Sequence, residues 1–213
     1  SLCTASYIFA KAGLLSNRKA TIHWENLSGV REEFPDLVIT NNLYEIDKDR
    51  YSSSGGTSSL DLMLHIISKS YGTSLAKNIS DQLIHERIRL SNDFQRMNLR
   101  SRLGVSHPKL LNAVSIMEEN LEEPMSQKEL ASRSNISLRQ LERLFKKYIS
   151  NTPNQYYLKL RLERAQHLLM QTSMSILSVA LASGFNSSSH FSKCYKIQFG
   201  ISPRETRFYE QNI

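Results

Sequence analysis

Hydrophobic and polar positions follow two different periods along this chain of 213 residues. In the first ninety the periods mix. "TASYIFAKAGLLS" has small and apolar residues at helical spacing and ends near Ser16 and Asn17. "KATIHW" and "DLVITNNLYEI" are short runs of β-branched and aromatic residues between turn formers, and they predict strands. "RYSSSGGTSSLDLMLHIISKSYG" opens as a Ser/Gly turn and continues as an apolar-periodic helix from about Ser58 to Tyr71. A second helix is expected over 74–88. Strands alternating with helices imply an α/β layer over about 1–90. The strands are few and short for a closed domain, and the chain starts inside a strand-to-helix turn. That pattern is expected of an amino-terminally truncated piece of a longer protein.

From "NDFQRMNLRSRLGVSHP" the texture changes. The segment 91–106 is polar and is expected to be an interdomain linker; every later period is helical. Pro108 suits a first helical position, Leu110, Leu111, Val114, Met117 and Leu121 form an apolar stripe, and Pro124 stops that helix. The expected fold is therefore α+β overall, with a partial α/β fragment ahead of an all-α domain over 107–213.

Within that domain one supersecondary unit occurs twice. "SQKELASRSNISLRQLERLFKKYISNTP" (126–153) aligns with "SILSVALASGFNSSSHFSKCYKIQFGISP" (175–203). Ala131 matches Ala180, and Asn135 matches Gly184. After one extra residue in the turn, Leu141 matches Phe191, Arg143 matches Lys193, Phe145 matches Tyr195 and Pro153 matches Pro203. Each copy reads as helix-turn-helix. Ser126 with Glu129, and Ser137 with Gln140, have capping-box spacing. Asn135 and Gly184 stand where a left-handed residue ends the first helix. Leu138, Leu141, Leu144, Phe145 and Tyr148 are expected to face inward, as are Phe191, Tyr195 and Phe199. Cys194, matched to Leu144, is expected to be buried. Between the copies, "NQYYLKLRLERAQHLLMQT" predicts a long amphipathic helix that holds the two units apart.

Composition sharpens this picture. The net charge is +7. Between Ser126 and Arg207 there are 13 Lys and Arg against 4 acidic residues, so the charge belongs to the repeat region and the remainder is slightly acidic. A basic face on one helix is ordinarily a solvated surface. Matching bases at matching positions of two repeats point to nucleic acid. The two cysteines, Cys3 and Cys194, are far apart, so no disulfide framework, paired metal site or cofactor is suggested. No apolar run is long enough for a membrane span and no signal peptide opens the sequence; a reducing cytoplasm is expected.

The repeat region closely resembles the DNA-binding domain of the AraC/XylS family of bacterial transcription regulators. "GFNSSSHFSKCYKIQFGISP" (184–203) follows that family's most distinctive stretch. The resemblance covers about half the chain. It implies seven helices, with two helix-turn-helix units whose recognition helices enter successive major grooves on one face of double-stranded DNA. Carried over by position, Arg139, Gln140, Glu142 and Arg143 are the base-reading candidates of the first unit. Ser188, Ser189, Ser192 and Lys193 are those of the second. Lys146, Lys147, Lys196 and Arg204 are implied phosphate partners, and RNA polymerase is an implied protein partner of an activator.

The front half resembles the later part of a DJ-1/PfpI, or class I glutamine-amidotransferase-like, domain. The likeness rests on "LCTASYIFAKAGLLSNRKATIHWEN" and "SSSGGTSSLDLMLHIISKSYG". It implies a flavodoxin-like α/β sensor fragment, with Cys3 at a strand-to-helix elbow. Catalysis by Cys3 is not expected, because Thr4 stands where hydrolytic relatives have His. The implied role is a small-molecule pocket shaped by Cys3, His23, Trp24, Glu25 and Thr57, in a domain that forms homodimers. "IHWENL", "HERIR" and "MEENLEEP" are similar to regulators of arginine, glycine betaine or carnitine catabolism. A quaternary ammonium would call for an aromatic cage, with Trp24 and Tyr44 as members. Two rival readings stay open. One is a thiol hydrolase-like protein that uses Cys3 and carries an accessory DNA module; the other is a non-specific basic protein for RNA or membrane surfaces.

Overall fold

The computed structural model describes residues 1–211 and divides the chain into two compact units, 1–96 and 97 onward. The first unit contains β1 (Lys19–Thr21), β2 (Val38–Thr40), β3 (Tyr44–Asp47) and β4 (Arg50–Ser53). β1 pairs with β2 in parallel, and β3 pairs with β4 antiparallel. Leu2 adds a parallel bridge to Ser53. Around the strands lie α1 (Ala5–Lys11), α2 (Leu27–Glu33), α3 (Ser58–Tyr71) and α4 (Thr73–Gln82). Ala10, Leu15, Ala20, Ile22, Val30 and Ile39 form one apolar cluster, and Leu43, Tyr44 and Leu62 form a smaller one.

The expected helix over 58–71 is present with those bounds, but several neighbours differ. "DLVITNNLYEI" supplies two strands in different pairs, because the chain turns at 41–43 between them. "RYSSS", read as turn, supplies β4. Serine has little intrinsic strand preference, but here Ser52 and Ser53 are buried and hydrogen-bonded. The Ser52 hydroxyl accepts from the Thr21 amide at 3.0 Å, and the Ser53 and Ser59 hydroxyls are 2.8 Å apart. α4 stops at Gln82 rather than continuing to 88. Ile84 adopts φ 55°, and 85–90 run without regular structure.

The segment expected as a linker is ordered on both sides of the unit boundary. Before it, the Leu43 amide donates to Ser91 O at 2.8 Å, and Asn42 bridges Phe94. After it, α5 (Leu99–Leu103) is capped by the Asn98 side chain and ended by Gly104. Leu99 and Leu103 pack against the second unit's core, and Val105 lies within it. Apolar residues at four-residue spacing were hidden there among arginines and serines.

The second unit continues with α6 (Pro108–Glu119), α7 (Gln127–Arg133), α8 (Leu138–Ile149) and α9 (Pro153–Gln171). α10 (Ile176–Ala182), α11 (Ser188–Phe199) and α12 (Pro203–Gln211) complete it. Each of the four helices of the two repeats begins at a serine whose hydroxyl accepts an amide hydrogen bond from its first turn: Ser126, Ser137, Ser175 and Ser187. Full reciprocal capping boxes are found at Thr152 and Gln155, opening α9, and at Ser202 and Glu205, opening α12. At Ser126 the Glu129 carboxylate instead accepts from Arg133 at 3.1 Å.

Two cores form, one per repeat. Leu110, Val114, Met117, Leu130, Leu141 and Phe145 dominate the first. Leu168, Val179, Phe185, Phe191 and Tyr195 dominate the second. α9 gives Tyr157 to the first and Leu162, Ala165, Leu168 and Leu169 to the second. One helix thus serves two cores, and its buried residues do not form the single stripe expected of an amphipathic helix. Tyr148, expected inside, is 38% exposed and faces the His107 ring. Phe199 is only partly buried against the second core. Cys194 is half-buried rather than buried, with its sulfur 3.4 Å from His190 Nε2.

Candidate nucleic-acid interface and cavity

α8 carries its burial on one side: Leu141, Leu144 and Phe145 are inside. The helical repeat then turns Arg139, Glu142, Arg143, Lys146 and Lys147 to solvent, with Gln140 half-buried at the first turn. Arg139, Arg143 and Lys146 follow one another at i, i+4 and i+7, so they share a face. None of these three cations has an ion-pair partner among the described residues. Lys147 leans over the Tyr148 ring at 5.0 Å.

α11 repeats the arrangement. Phe191 and Tyr195 are buried, while Ser188, Ser189, Lys193 and Lys196 are exposed and Ser192 is half-buried. Arg204, in the first turn of α12, is exposed. Apart from Arg204, the expected DNA-facing residues therefore lie on the second helix in each repeat, exposed except for the half-buried Gln140 and Ser192. The first face has long cationic side chains, and the second has serines followed by two lysines.

The two repeats are joined by polar contacts that no periodicity reveals. In the middle of α9, the Arg161 guanidinium donates from Nε to Ser183 O at 2.9 Å and from Nη2 to Gly184 O at 2.6 Å. It also lies 4.2 Å above the Phe185 ring. Burial lowers its pKa from the usual arginine value.

The first unit contains a cavity of about 220 Å³ bordered by His23, Trp24, Thr57, Arg89 and Gln95 together with the Gly55–Gly56 turn. Three of the five expected pocket residues, His23, Trp24 and Thr57, line it. Cys3 does not: it stands behind the wall. Cys3 has φ 54°, a left-handed elbow, and a Cβ added at Gly55 would sit 2.7 Å from its sulfur. No histidine bonds that thiol among the described residues. Glu25 also lies off the lining, with its carboxylate 3.6 Å from His23 Nδ1. Of the two expected cage aromatics, Trp24 lines the cavity and Tyr44 does not. Tyr44 is buried against His65 at 5.6 Å, and one face of Trp24 is covered by Arg96 at 4.0 Å.

Arg89 and Gln95 were not visible as site residues, because both lie in stretches without periodicity. Arg89 is held from two sides: its Nε donates to Asp61 Oδ2 at 2.8 Å and its Nη2 to Thr57 Oγ1 at 2.6 Å. Asp61 is fully buried and also accepts from the Arg89 amide, with His85 Nε2 at 2.8 Å from its other oxygen. Gln95 donates its amide to Thr21 Oγ1, Ile22 O and Asn42 O, while its Oε1 is buried with no hydrogen-bond partner among the described residues. The cavity is thus bordered by a fixed guanidinium, a carboxamide and an indole.

Comparison with known proteins gives concordant results. The family model described as a helix-turn-helix domain matches residues 130–208. The chain is 50% identical over 207 residues to the HTH-type transcriptional regulator GbdR of Pseudomonas aeruginosa, covering 97% of this chain and 56% of that protein. It is 47% identical over 207 residues to the HTH-type transcriptional regulator ArgR of the same species, covering 97% and 63%. It therefore spans less than two thirds of the length of these curated relatives. A transcriptional regulator from Chromobacterium violaceum, described as AraC-type, has a crystal structure with 53% identity over 48% of this chain and 92% of that one, at a TM-score of 0.47. The carboxy-terminal unit thus carries a helix-turn-helix domain, and the relatives that the chain resembles are helix-turn-helix transcriptional regulators.

Proposed function

We propose that this chain is part of a sequence-specific DNA-binding transcription regulator, an activator, that responds to a small metabolite. The observation that carries the reading is the repeated cationic face of α8 and α11, with Arg139, Arg143 and Lys146 on the first exposed and without an ion-pair partner among the described residues. Two readers in one chain fit successive major grooves, which recur every ~34 Å along one side of B-DNA. Lys and Arg contacts to phosphate supply salt-dependent affinity, and side chains at the exposed start of each helix supply base choice. Arg139 and Arg143 are the base readers of the first helix, aided by Gln140 and Glu142, because arginine can bridge guanine O6 and N7. Ser188, Ser189, Ser192 and Lys193 act in the second, with shorter reach and weaker discrimination. Lys146, Lys147, Lys196 and Arg204 hold phosphates.

The test is a binding titration of the Arg143→Ala chain on its selected site and on random duplex. The expected loss on the selected site is about 1–3 kcal/mol, with a much smaller loss on random DNA. Equal losses on both would remove Arg143 from base reading.

The first unit is the sensor, a DJ-1/PfpI-like fragment of α/β flavodoxin type that pairs with a second copy. Its cavity takes an effector such as arginine, glycine betaine or carnitine. All three have a carboxylate, which the Arg89 guanidinium suits. A quaternary ammonium held between Trp24 and Tyr44 is not part of this proposal, since Tyr44 does not line the cavity. Effector at about 100 times its dissociation constant should stabilise the sensor by about 2.7 kcal/mol, several degrees in melting temperature. A melting temperature unchanged by all three compounds would exclude them.

A further inference from the structure

The two equivalent turns of the repeat differ in a way that local structure does not require. Asn135 and Gly184 both adopt left-handed backbone, φ 53° and 77°. Asn135 keeps its side chain in solvent, whereas position 184 has no room for one. A Cβ there would approach Leu121 O to 2.6 Å, Pro124 Cδ to 2.8 Å and Glu122 O to 3.0 Å. Those residues form the connection between α6 and α7, which leads into the first repeat and whose helix α6 completes that repeat's core. The turn of the second helix-turn-helix is therefore seated directly on the backbone loop that enters the first.

One face of α9 locks that seat. Tyr157 donates its hydroxyl to Asn120 O at the start of the loop. One turn later, Arg161 donates to Ser183 O and Gly184 O on the opposing turn. Arg164, a further turn along, lies 3.8 Å from Glu122. Three side chains on successive turns thus tie the linking helix to the loop that enters one repeat and the turn of the other. Arg161 spends two hydrogen bonds on carbonyls that the end of α10 leaves without helical partners.

We propose that this junction, and Arg161 and Gly184 in particular, sets the register between α8 and α11, so that the chain reads two half-sites at one fixed spacing. The proposal rests on the DNA-reading role argued above. α9 alone does not define the register, because a helix attached to each repeat by its own apolar contacts still lets the repeats rock. The seated turn prevents that motion. Arg161 and Gly184 are positioning residues; neither is required to touch DNA.

The experiment uses the whole chain and a duplex obtained by selection from a randomised library, with its two half-sites mapped by scrambling each in turn. A second duplex carries five extra base pairs between them, half a helical turn. For the unaltered chain the insertion should weaken binding on the order of 100-fold, leaving the affinity of the better half-site alone. For Arg161→Met the same insertion should cost only about threefold, because the repeats no longer hold one register. Gly184→Ala, which pushes the turn off its seat from the other side, should behave alike. The ratio between the two duplexes is the readout. A variant that merely unfolds in part loses the same factor on both, and the ratio stays where it was. Where Arg161→Met loses its helical circular dichroism, Arg161→Lys, with one donor retained, takes its place and should give an intermediate ratio. An unchanged ratio in the folded variants overturns the proposal, as does an unaltered chain that tolerates the insertion. If no duplex is preferred over random DNA, the DNA-reading role falls and this proposal with it.

Discussion

Replacing Phe145 by alanine will lower the unfolding free energy of the second unit by about 3–5 kcal/mol, the usual cost of emptying an aromatic site in a core. The ring is fully buried, stands edge-on to Tyr156 at 5.6 Å between centroids, and belongs to the cluster of Leu110, Met117, Leu130 and Leu141. Those neighbours come from three helices and are too constrained to collapse inward. The result is also functional, because Phe145 holds the α8 face that carries Arg139 and Arg143. Denaturant titration followed by far-ultraviolet circular dichroism measures the loss. Phe145→Leu, which keeps most of the volume, should cost clearly less. A loss below about 1 kcal/mol for Phe145→Ala would mean that the core relaxes around the gap.

Asp61→Ala should destabilise the first unit by about 3 kcal/mol, because it leaves buried donors and a cation without their anion. Asp61 is fully buried, and its two oxygens hold His85 Nε2, the Arg89 amide and the Arg89 guanidinium. The carboxylate therefore anchors the irregular 85–90 segment to α3 and aims Arg89 at the cavity. The single tryptophan of the chain, Trp24, borders the same cavity, so its fluorescence reports this unit during denaturation. Asp61→Asn keeps one acceptor oxygen and should cost less. A neutral Asp61→Ala result would show that water replaces the carboxylate and that Arg89 is positioned by Thr57 alone.

The carboxy-terminal unit was legible because its signals are local and occur twice. Serine caps, left-handed turn residues and apolar spacing each depend on a few neighbouring positions, and they placed α7, α8, α10 and α11 close to their observed bounds. The outward faces of α8 and α11 followed directly, since burying Leu141 and Phe145, or Phe191 and Tyr195, leaves the opposite side to solvent. Tyr148 and Cys194 were misjudged because they lie at the edges of those stripes, where spacing alone does not say how far the neighbouring helix extends.

The first unit was less legible. β4 is built from serines that are strand residues only because Thr21 and Ser59 satisfy their hydroxyls. The cavity is bordered by Arg89 and Gln95, which lie more than sixty residues from His23 and Trp24 in sequence. No periodic pattern connects such positions.

By itself, then, the sequence determined the repeat, its helices and the side of each that meets solvent, because 3.6-residue periodicity and capping act over one or two turns. Only the tertiary structure decided what those helices are fastened to. Gly184 and Asn135 are interchangeable as left-handed turn residues. They differ because one packs against the backbone of Leu121 and Glu122, a contact made across sixty residues of chain. Long-range approach of backbone to backbone leaves no trace in local pattern, and that approach joins the two repeats.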